Sequence, residues 1–116
     1  MNIKITGSGY YLPEHIETAQ QLSLKINKSS QWIINKTGVE ERRISKIDVD
    51  QMGAIAAKQA LKNSSCAPDL ILNASGVGKQ VIPDTSVFIQ KELGLNGIPS
   101  FSIHATCLSF LVALNT

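Results

Sequence analysis

Three features of this 116-residue sequence predict an α/β layered fold. Residues 2–8 alternate apolar with polar side chains, as a half-buried strand does. Residues 70–72 are a short continuous apolar run between turn signals, which is typical of a strand buried on both faces of a parallel or mixed sheet. Segments with helical periodicity lie between and after these strands, and this alternation of strands and helices indicates layered packing.

The first predicted strand ends at a glycine-rich turn over residues 7–9. This turn lacks the pattern of a dinucleotide-binding loop, because Leu12 stands where a third glycine is needed. Pro13 then follows in place of a helix start. We therefore interpret residues 7–9 as a turn without a phosphate-binding role.

Two helices are predicted in the middle of the chain. A short one covers residues 31–36, with Ser29 or Ser30 as N-cap and Gly38 just past its end. Residues 40–45 follow as a charged extended or looped stretch. The longer helix begins at a cap formed by Asp48 or Asp50 and runs to about Asn63. Its spacing predicts a buried side made of Met52, Ile55, Ala56 and Ala60.

The second half of the chain continues the alternation of helices and strands. Residues 75–83 form a glycine-rich loop, residues 84–93 a helix stopped by Gly94, and residues 101–103 a strand. Residues 107–114 are apolar nearly all round, so a helix there must be buried. The sequence ends directly after this segment. We therefore expect residues 1–116 to be one segment that is incomplete at its C-terminus.

The composition excludes several functional classes. Apolar residues at 43% and charged residues at 17% exclude a disordered chain, and a net charge of +2 gives no general attraction to nucleic acid or membrane surfaces. Two cysteines and two histidines match neither a disulfide framework nor a structural zinc site. The N-terminus has no continuous apolar run, and no 18-residue apolar run occurs. We expect a cytoplasmic protein without a bound metal.

Cys107 is the candidate nucleophile in this sequence. It follows a predicted strand by a few residues and opens the apolar helix. A helix N-terminus offers unpaired N–H groups and partial positive charge, which favour a thiolate and bind an oxyanion. A strand-to-helix turn also presents a side chain to a pocket, as nucleophile elbows do. The alternative is a structural cysteine in the core, because free cysteine is among the most buried residue types.

Five separated segments carry a family resemblance. In chain order they read SSQWIINKTGVEERRIS, DQMGAIAAKQAL, LILNASG, IPDTSVFIQKELGL and IPSFSIHATCLSF. Their order and spacing resemble the N-terminal part of β-ketoacyl-acyl carrier protein synthase III and its thiolase-fold relatives, from Ile3 to the end of the chain with a gap near Ile47. The resemblance implies a thiolase-like α-β-α architecture with a mixed, mostly parallel sheet, of which residues 1–116 form the first half of a duplicated fold.

The resemblance also implies roles for individual residues. Cys107 aligns with the acyl-accepting nucleophile, which takes an acyl group from a coenzyme A or phosphopantetheine thioester. Trp32, Lys36 and Thr37 match positions that bind coenzyme A, with the indole on the adenine and a basic residue near the phosphates. The alternative for these three is an ordinary amphipathic helix with a half-buried tryptophan. Ile82 matches a dimer-interface position that lines the acyl pocket of the neighbouring subunit; otherwise it is a loop residue filling an apolar gap.

The remaining charged residues and histidines are given no catalytic role. Arg42 and Arg43 either extend a basic rim for carrier protein or pair with the neighbouring Glu40 and Glu41. His104 matches no catalytic position of the family and is interpreted as a strand-end residue. His15 is expected to lie solvated in a turn.

The nucleophile segment departs from the family pattern. Cysteine, a small residue and glycine are frequent there, whereas this chain has Cys107, Leu108 and Ser109. A reshaped acyl pocket or a different acceptor is the expected consequence.

Three functional hypotheses follow from the sequence. The first is acyl transfer to Cys107 with condensation with malonyl-acyl carrier protein in a full-length homodimer, which implies acyl carrier protein and acyl-coenzyme A as partners and no permanent cofactor. The others are a synthase of a specialised metabolite and a non-catalytic half that associates with a complementary chain. In each case residues 1–116 alone are expected to lack turnover.

Overall fold

A computed structural model describes residues 3–116 of the chain. The chain divides into two compact units. One comprises residues 12–46, and the other comprises the N-terminal residues up to Tyr11 together with residues 47–116. Each unit is described by itself below.

The unit of residues 12–46 combines a strand pair with two short helices. Strands β1 (His15–Thr18) and β2 (Glu41–Ile44) pair antiparallel. Helices α1 (Ala19–Ile26) and α2 (Ser30–Thr37) lie between them in the chain. The predicted α2 is confirmed with Ser29 as its N-cap, because the Ser29 hydroxyl accepts from the Trp32 N–H, and Gly38 ends it in the left-handed conformation at φ 70°.

A buried carboxylate links the elements of this unit. The Glu17 side chain is only 2% exposed and forms ion pairs with Lys25 of α1 and Arg42 of β2, the Arg42 Nη2 lying 2.6 Å from Oε2. Hydrogen bonds from Lys25 and then Arg42 hold the pKa of Glu17 below its ordinary value. Arg42 therefore pairs with Glu17 and not with the neighbouring Glu40 or Glu41. Periodicity gave no signal for this pairing, since the three residues are distant in sequence.

The second unit contains three further helices and a parallel strand pair. In chain order these are α3 (Val49–Lys62), β3 (Ile71–Ala74), α4 (Thr85–Leu93), β4 (Ser100–Ile103) and α5 (Ser109–Asn115). Strands β3 and β4 are parallel, with Ile71 opposite Ser100. Both α4 and α5 pack on this pair, and α4 also packs on α3. From α3 onward, the predicted order of elements is confirmed, and parallel and antiparallel pairing occur in separate two-stranded sheets.

The prediction of a strand at the N-terminus is wrong for residues 3–8, which are irregular; position 2 lies outside the described residues. This segment runs against α3 instead of a neighbouring strand. Just after it, the Tyr10 N–H donates to Gln59 Oε1 of α3 at 2.8 Å. Gly9 allows this close approach, because a Cβ there would lie 2.0 Å from the Ala56 carbonyl oxygen.

Two burial predictions also differ from the structure. Ile55 is 43% exposed, and Ala54 is the buried apolar residue of α3, because the contact with α4 uses the small Gly53 beside Ile89. The apolar helix near the C-terminus is predicted to be buried, yet Phe110 and Leu111 are 64% and 60% exposed. Within residues 3–116, α5 packs mainly on β3, β4 and the turn before it, which cover one side only.

The carboxylate of Asp84 joins the start of α4 to β4. As the N-cap of α4 it accepts from the Ser86 N–H at 2.7 Å and from the Ser86 hydroxyl at 2.5 Å. It also accepts from the N–H and hydroxyl of Ser102 on β4, at 3.1 and 3.0 Å. Burial alone would raise the pKa of Asp84, but the four hydrogen bonds from Ser86 and Ser102 outweigh it and lower the pKa. Asp84 thereby fixes the strand that leads to residues 105–109.

Asp84→Asn is expected to lower the free energy of unfolding by about 1–3 kcal/mol at pH 7, because one charged acceptor is replaced by an amide N–H₂ that cannot accept. Because its pKa is lowered, the Asp84 carboxylate stabilises the fold at pH values above its ordinary pKa of 3.8. It loses this effect as the pH falls through the pKa of Asp84 in the folded state. The difference in the free energy of unfolding between wild type and Asp84→Asn should therefore become smaller at acidic pH. Urea unfolding at several pH values measures it.

The exposed Asp69 provides the matched control. Asp69→Asn should leave the free energy of unfolding nearly unchanged at every pH. The role assigned to Asp84 would be contradicted if Asp84→Asn and Asp69→Asn lowered the free energy of unfolding equally at pH 7. It would also be contradicted if the loss for Asp84→Asn did not diminish at acidic pH.

Candidate functional site

Cys107 lies in a tight 3₁₀ turn, Thr106–Leu108, that connects β4 to α5. It is a free, exposed cysteine, so the alternative of a cysteine packed in the core is not what the described residues form. The prediction that Cys107 opens the helix is wrong by two positions, because α5 begins at Ser109. The preceding residue, Thr106, is left-handed at φ 50°, a conformation that non-glycine residues seldom adopt.

Backbone and side-chain hydrogen bonds close this turn. The Leu108 N–H donates to the Ala105 carbonyl at 3.0 Å, and the Ser109 N–H donates to the Thr106 carbonyl. The Ser109 hydroxyl accepts from the Ala105 N–H at 2.9 Å and donates to the Thr106 carbonyl at 2.8 Å. Ser109 is only 3% exposed. The sequence marks Ser109 only as a side chain in place of the family's glycine, because a hydroxyl that bonds back to its own turn leaves no periodic signal.

The backbone N–H of Cys107 has no hydrogen-bond acceptor among residues 3–116. It therefore stays available beside an exposed sulfur, which is the arrangement that an oxyanion donor requires. The other cysteine, Cys66, is also exposed, but it lies in the loop after α3, where the Ser64 hydroxyl already accepts from its N–H at 3.1 Å. The two thiols thus differ in their backbone surroundings and not in exposure.

Neither histidine is part of this turn. His104 directly follows β4, and its Nδ1 lies 3.2 Å from the Ser75 carbonyl oxygen, in agreement with its interpretation as a strand-end residue. His15 is exposed, but it begins β1 and does not lie in a turn. No group of three or more histidine, cysteine or acidic side chains within residues 3–116 is arranged to hold a metal ion.

Trp32, Lys36 and Thr37 all lie on α2, in the unit of residues 12–46. Trp32 is 44% exposed, and the Lys28 ammonium lies 5.5 Å from the centroid of its ring. Lys36 is exposed in the last turn of the helix, one turn from Trp32. The Thr37 hydroxyl is occupied within the protein, since it donates to the Ile33 carbonyl at 2.8 Å and accepts from the Val39 N–H at 3.1 Å.

Arg42 and Arg43, the two arginines predicted as a basic rim or as partners of Glu40 and Glu41, bind other groups in their own unit. Arg42 is bound to Glu17, and the Arg43 Nη1 donates to the Pro13 carbonyl at 2.7 Å. Both guanidinium groups therefore hold β2 and the segment near β1 together. Lys28 is a cation beside Trp32 that the sequence patterns do not reveal, because it precedes the N-cap Ser29 and lies outside α2.

Ile82 lies at the tip of the loop between β3 and α4. It precedes Pro83 through a cis peptide bond and is 85% exposed, so it fills no apolar gap within residues 3–116. The stem of the loop is anchored by Lys79, whose Nζ lies 3.0 Å from Asp50 Oδ2 and 3.2 Å from Asp48 Oδ2. Hydrogen bonds to Asp50 and then Asp48 raise the pKa of Lys79. An anchored stem thus presents an exposed apolar tip.

None of the helices in the described part of the chain has the length and apolar character needed to span a membrane.

Comparison with known proteins gives relatives of one kind. No family model matches the chain. The curated β-ketoacyl-[acyl-carrier-protein] synthase III of Aquifex aeolicus is 36% identical over 119 residues, covering 99% of this chain and 38% of that protein. The crystal structure of 3-oxoacyl-[acyl-carrier-protein] synthase III from the same organism has a TM-score of 0.89 at 35% identity and covers 97% of this chain and 38% of that one.

A third similar protein is the priming β-ketosynthase from the R1128 polyketide biosynthetic pathway, whose crystal structure is 28% identical with a TM-score of 0.87. That alignment covers 96% of this chain and 35% of the other. The chain therefore spans well under half the length of the proteins it matches. The thiolase-like fold implied by the sequence motifs is confirmed. In sequence and in fold, the chain is similar to the N-terminal part of β-ketoacyl-[acyl-carrier-protein] synthase III, over 38% of that protein's length.

Proposed function

We propose that this chain carries the acyl-accepting half of an acyltransferase of the β-ketoacyl-acyl carrier protein synthase III type. The observation that carries the proposal is the exposed Cys107 thiol on a left-handed turn, next to its own unpaired N–H. It stands at the position where the resemblance expects the nucleophile. Exposure permits attack on a bulky thioester, and the free N–H supplies a donor for the oxygen that becomes negative.

The proposed step is a thioester exchange at Cys107. The Cys107 thiolate attacks the carbonyl carbon of an acyl thioester and forms a new carbon–sulfur bond. The tetrahedral oxyanion accepts a hydrogen bond from the Cys107 N–H, and its collapse breaks the carbon–sulfur bond to coenzyme A, which leaves as a thiolate and takes a proton from solvent. One thioester replaces another, so the step is close to isoenergetic, and cysteine is well suited to it.

Binding of the cosubstrate is proposed for α2. The exposed part of the Trp32 indole offers a stacking surface to adenine, and Lys36 offers a point charge to a phosphate. Lys28 already covers part of the Trp32 ring, so it must move aside or add a second positive charge when adenine stacks on that face. Thr37 serves this group by ending the helix, because its hydroxyl bonds to Ile33 and Val39.

The remaining assignments concern a complete enzyme. We propose that condensation with malonyl-acyl carrier protein takes place in a cytoplasmic homodimer. The exposed Ile82 would lie at the dimer interface and line the neighbouring acyl pocket, and no permanently bound cofactor is needed. The apolar loop tip supports this proposal, since exposed apolar residues on an anchored loop are suited to burial against a partner.

A second candidate is a priming synthase of a specialised metabolite. It is favoured by Leu108 and Ser109, which replace the small residue and glycine that are frequent beside the nucleophile of fatty-acid enzymes. A changed turn beside the acyl carbon would alter which acyl chain is accepted while leaving the thioester exchange itself unchanged.

Incubation of the 116-residue chain with acetyl-coenzyme A tests the nucleophile. We expect one acetyl group on Cys107, formed at least about tenfold faster than on Cys66, since one positioned oxyanion donor contributes about 100-fold or more in enzymes. Intact mass spectrometry and peptide mapping measure both sites. Cys66→Ser should keep the adduct and Cys107→Ser should lose it. Equal acetylation of the two exposed thiols would contradict the proposal.

Fluorescence of Trp32, the one tryptophan of the chain, reports on cosubstrate binding. Coenzyme A should quench it through adenine stacking, whereas pantetheine, which has no adenine, should not. Lys36→Ala should weaken coenzyme A binding about two- to fivefold, as expected for an exposed charge pair. Lys46→Ala, at an exposed lysine in the same unit, is the matched control. Equal weakening by both variants, or quenching by pantetheine, would refute the assignment of α2.

A further inference from the structure

We propose that Ser109 is the positioning residue of the Cys107 turn. The inference rests on the proposed function in that Cys107 is the acyl acceptor, but its geometry stands by itself. Ser109 lies two residues after Cys107, is buried, and contributes its hydroxyl to two hydrogen bonds within residues 105–109. No role in acyl transfer is implied by the residue type alone.

The two hydrogen bonds lie on either side of the strained residue. The Ser109 hydroxyl accepts from the N–H of Ala105, before Thr106, and donates to the carbonyl of Thr106 itself. Without the hydroxyl, the Ala105 N–H would lose its acceptor in a partly buried place, where an unpaired donor is costly, whereas the Thr106 carbonyl would keep the Ser109 N–H. The hydroxyl therefore stabilises the left-handed conformation of Thr106 at φ 50°.

The conformation of Thr106 decides where Cys107 points. In the left-handed state the chain reverses after β4, so that the thiol is exposed and the Cys107 N–H is left without an internal acceptor. An ordinary right-handed or extended Thr106 would send the following residues in another direction. Ser109 thus acts on the nucleophile through the backbone and does not touch the reacting atoms.

A serine at position 109 fixes the turn through its side chain, which a glycine at that position could not do. Glycine adopts the turn freely but also leaves it freely, because it has no side chain to bond back. A serine hydroxyl holds one conformation at the expense of space beside the nucleophile. We therefore expect the turn of this chain to depend on the hydroxyl of Ser109.

Alkylation of Cys107 by iodoacetamide tests this inference in a Cys66→Ser background, where Cys107 is the only thiol. Ser109→Ala and Ser109→Gly should lower the alkylation rate at pH 7 about 3- to 10-fold, the effect of one to two lost hydrogen bonds. The rate should fall because a turn released from Ser109 no longer holds the thiol in its exposed position. Ser109→Thr keeps the hydroxyl and should restore the wild-type rate.

Ser86→Ala is the matched control, since it removes another buried serine hydroxyl of the same unit that bonds to Asp84 and not to the turn. It should lower stability but leave the alkylation rate of Cys107 unchanged. Alkylation rates of both Ser109 variants that equal the wild-type rate would overturn the inference. The inference would also be overturned if both Ser109 variants failed to fold while Ser86→Ala folded, because the role of Ser109 would then be structural. Acetylation of Cys107 is measured separately, so either proposal can fail alone.

Discussion

The connection between β4 and α5 depends on one unusual backbone conformation. Thr106 is left-handed without being glycine, and the chain keeps it there by bonding the groups on both sides of it to the buried Ser109 hydroxyl. From this constraint follow the exposure of Cys107, the free state of its N–H and the late start of α5. A relaxed turn would alter all three together.

Strand β4, which precedes this turn, is also fixed by several hydrogen bonds. Asp84 binds the N–H and hydroxyl of Ser102, and the Asn73 amide donates to the same hydroxyl at 3.0 Å, so β3, β4 and the start of α4 share one hydrogen-bonded group. The unit of residues 12–46 uses a similar device, in which Glu17 is buried between two cations. A half-buried carboxylate in one unit and a buried carboxylate in the other, each with several partners, thus fix units in which few apolar side chains are fully buried.

Sequence patterns predicted the regular elements well where the signal was local. Ser29, Asp48 and Asp84 cap the expected helices, and the motifs around Cys107 pointed to the correct fold. The failures share a physical cause, since strand pairing and burial depend on partners that are distant in sequence. Ile3 and Ile5 alternate as in a strand but lie in an irregular segment where both are exposed, and the hydroxyl of Ser109 acts within a turn that has no periodicity.

Amide hydrogen exchange across residues 105–109 tests the central claim most directly. The Ala105 N–H, bonded to the Ser109 hydroxyl at 2.9 Å, should exchange slowly, whereas the Cys107 N–H two residues away should exchange at nearly the rate of an unfolded peptide. This contrast within a single turn is the result that the account predicts. Rapid exchange of both amides, or protection of Cys107 with an unprotected Ala105, would contradict it.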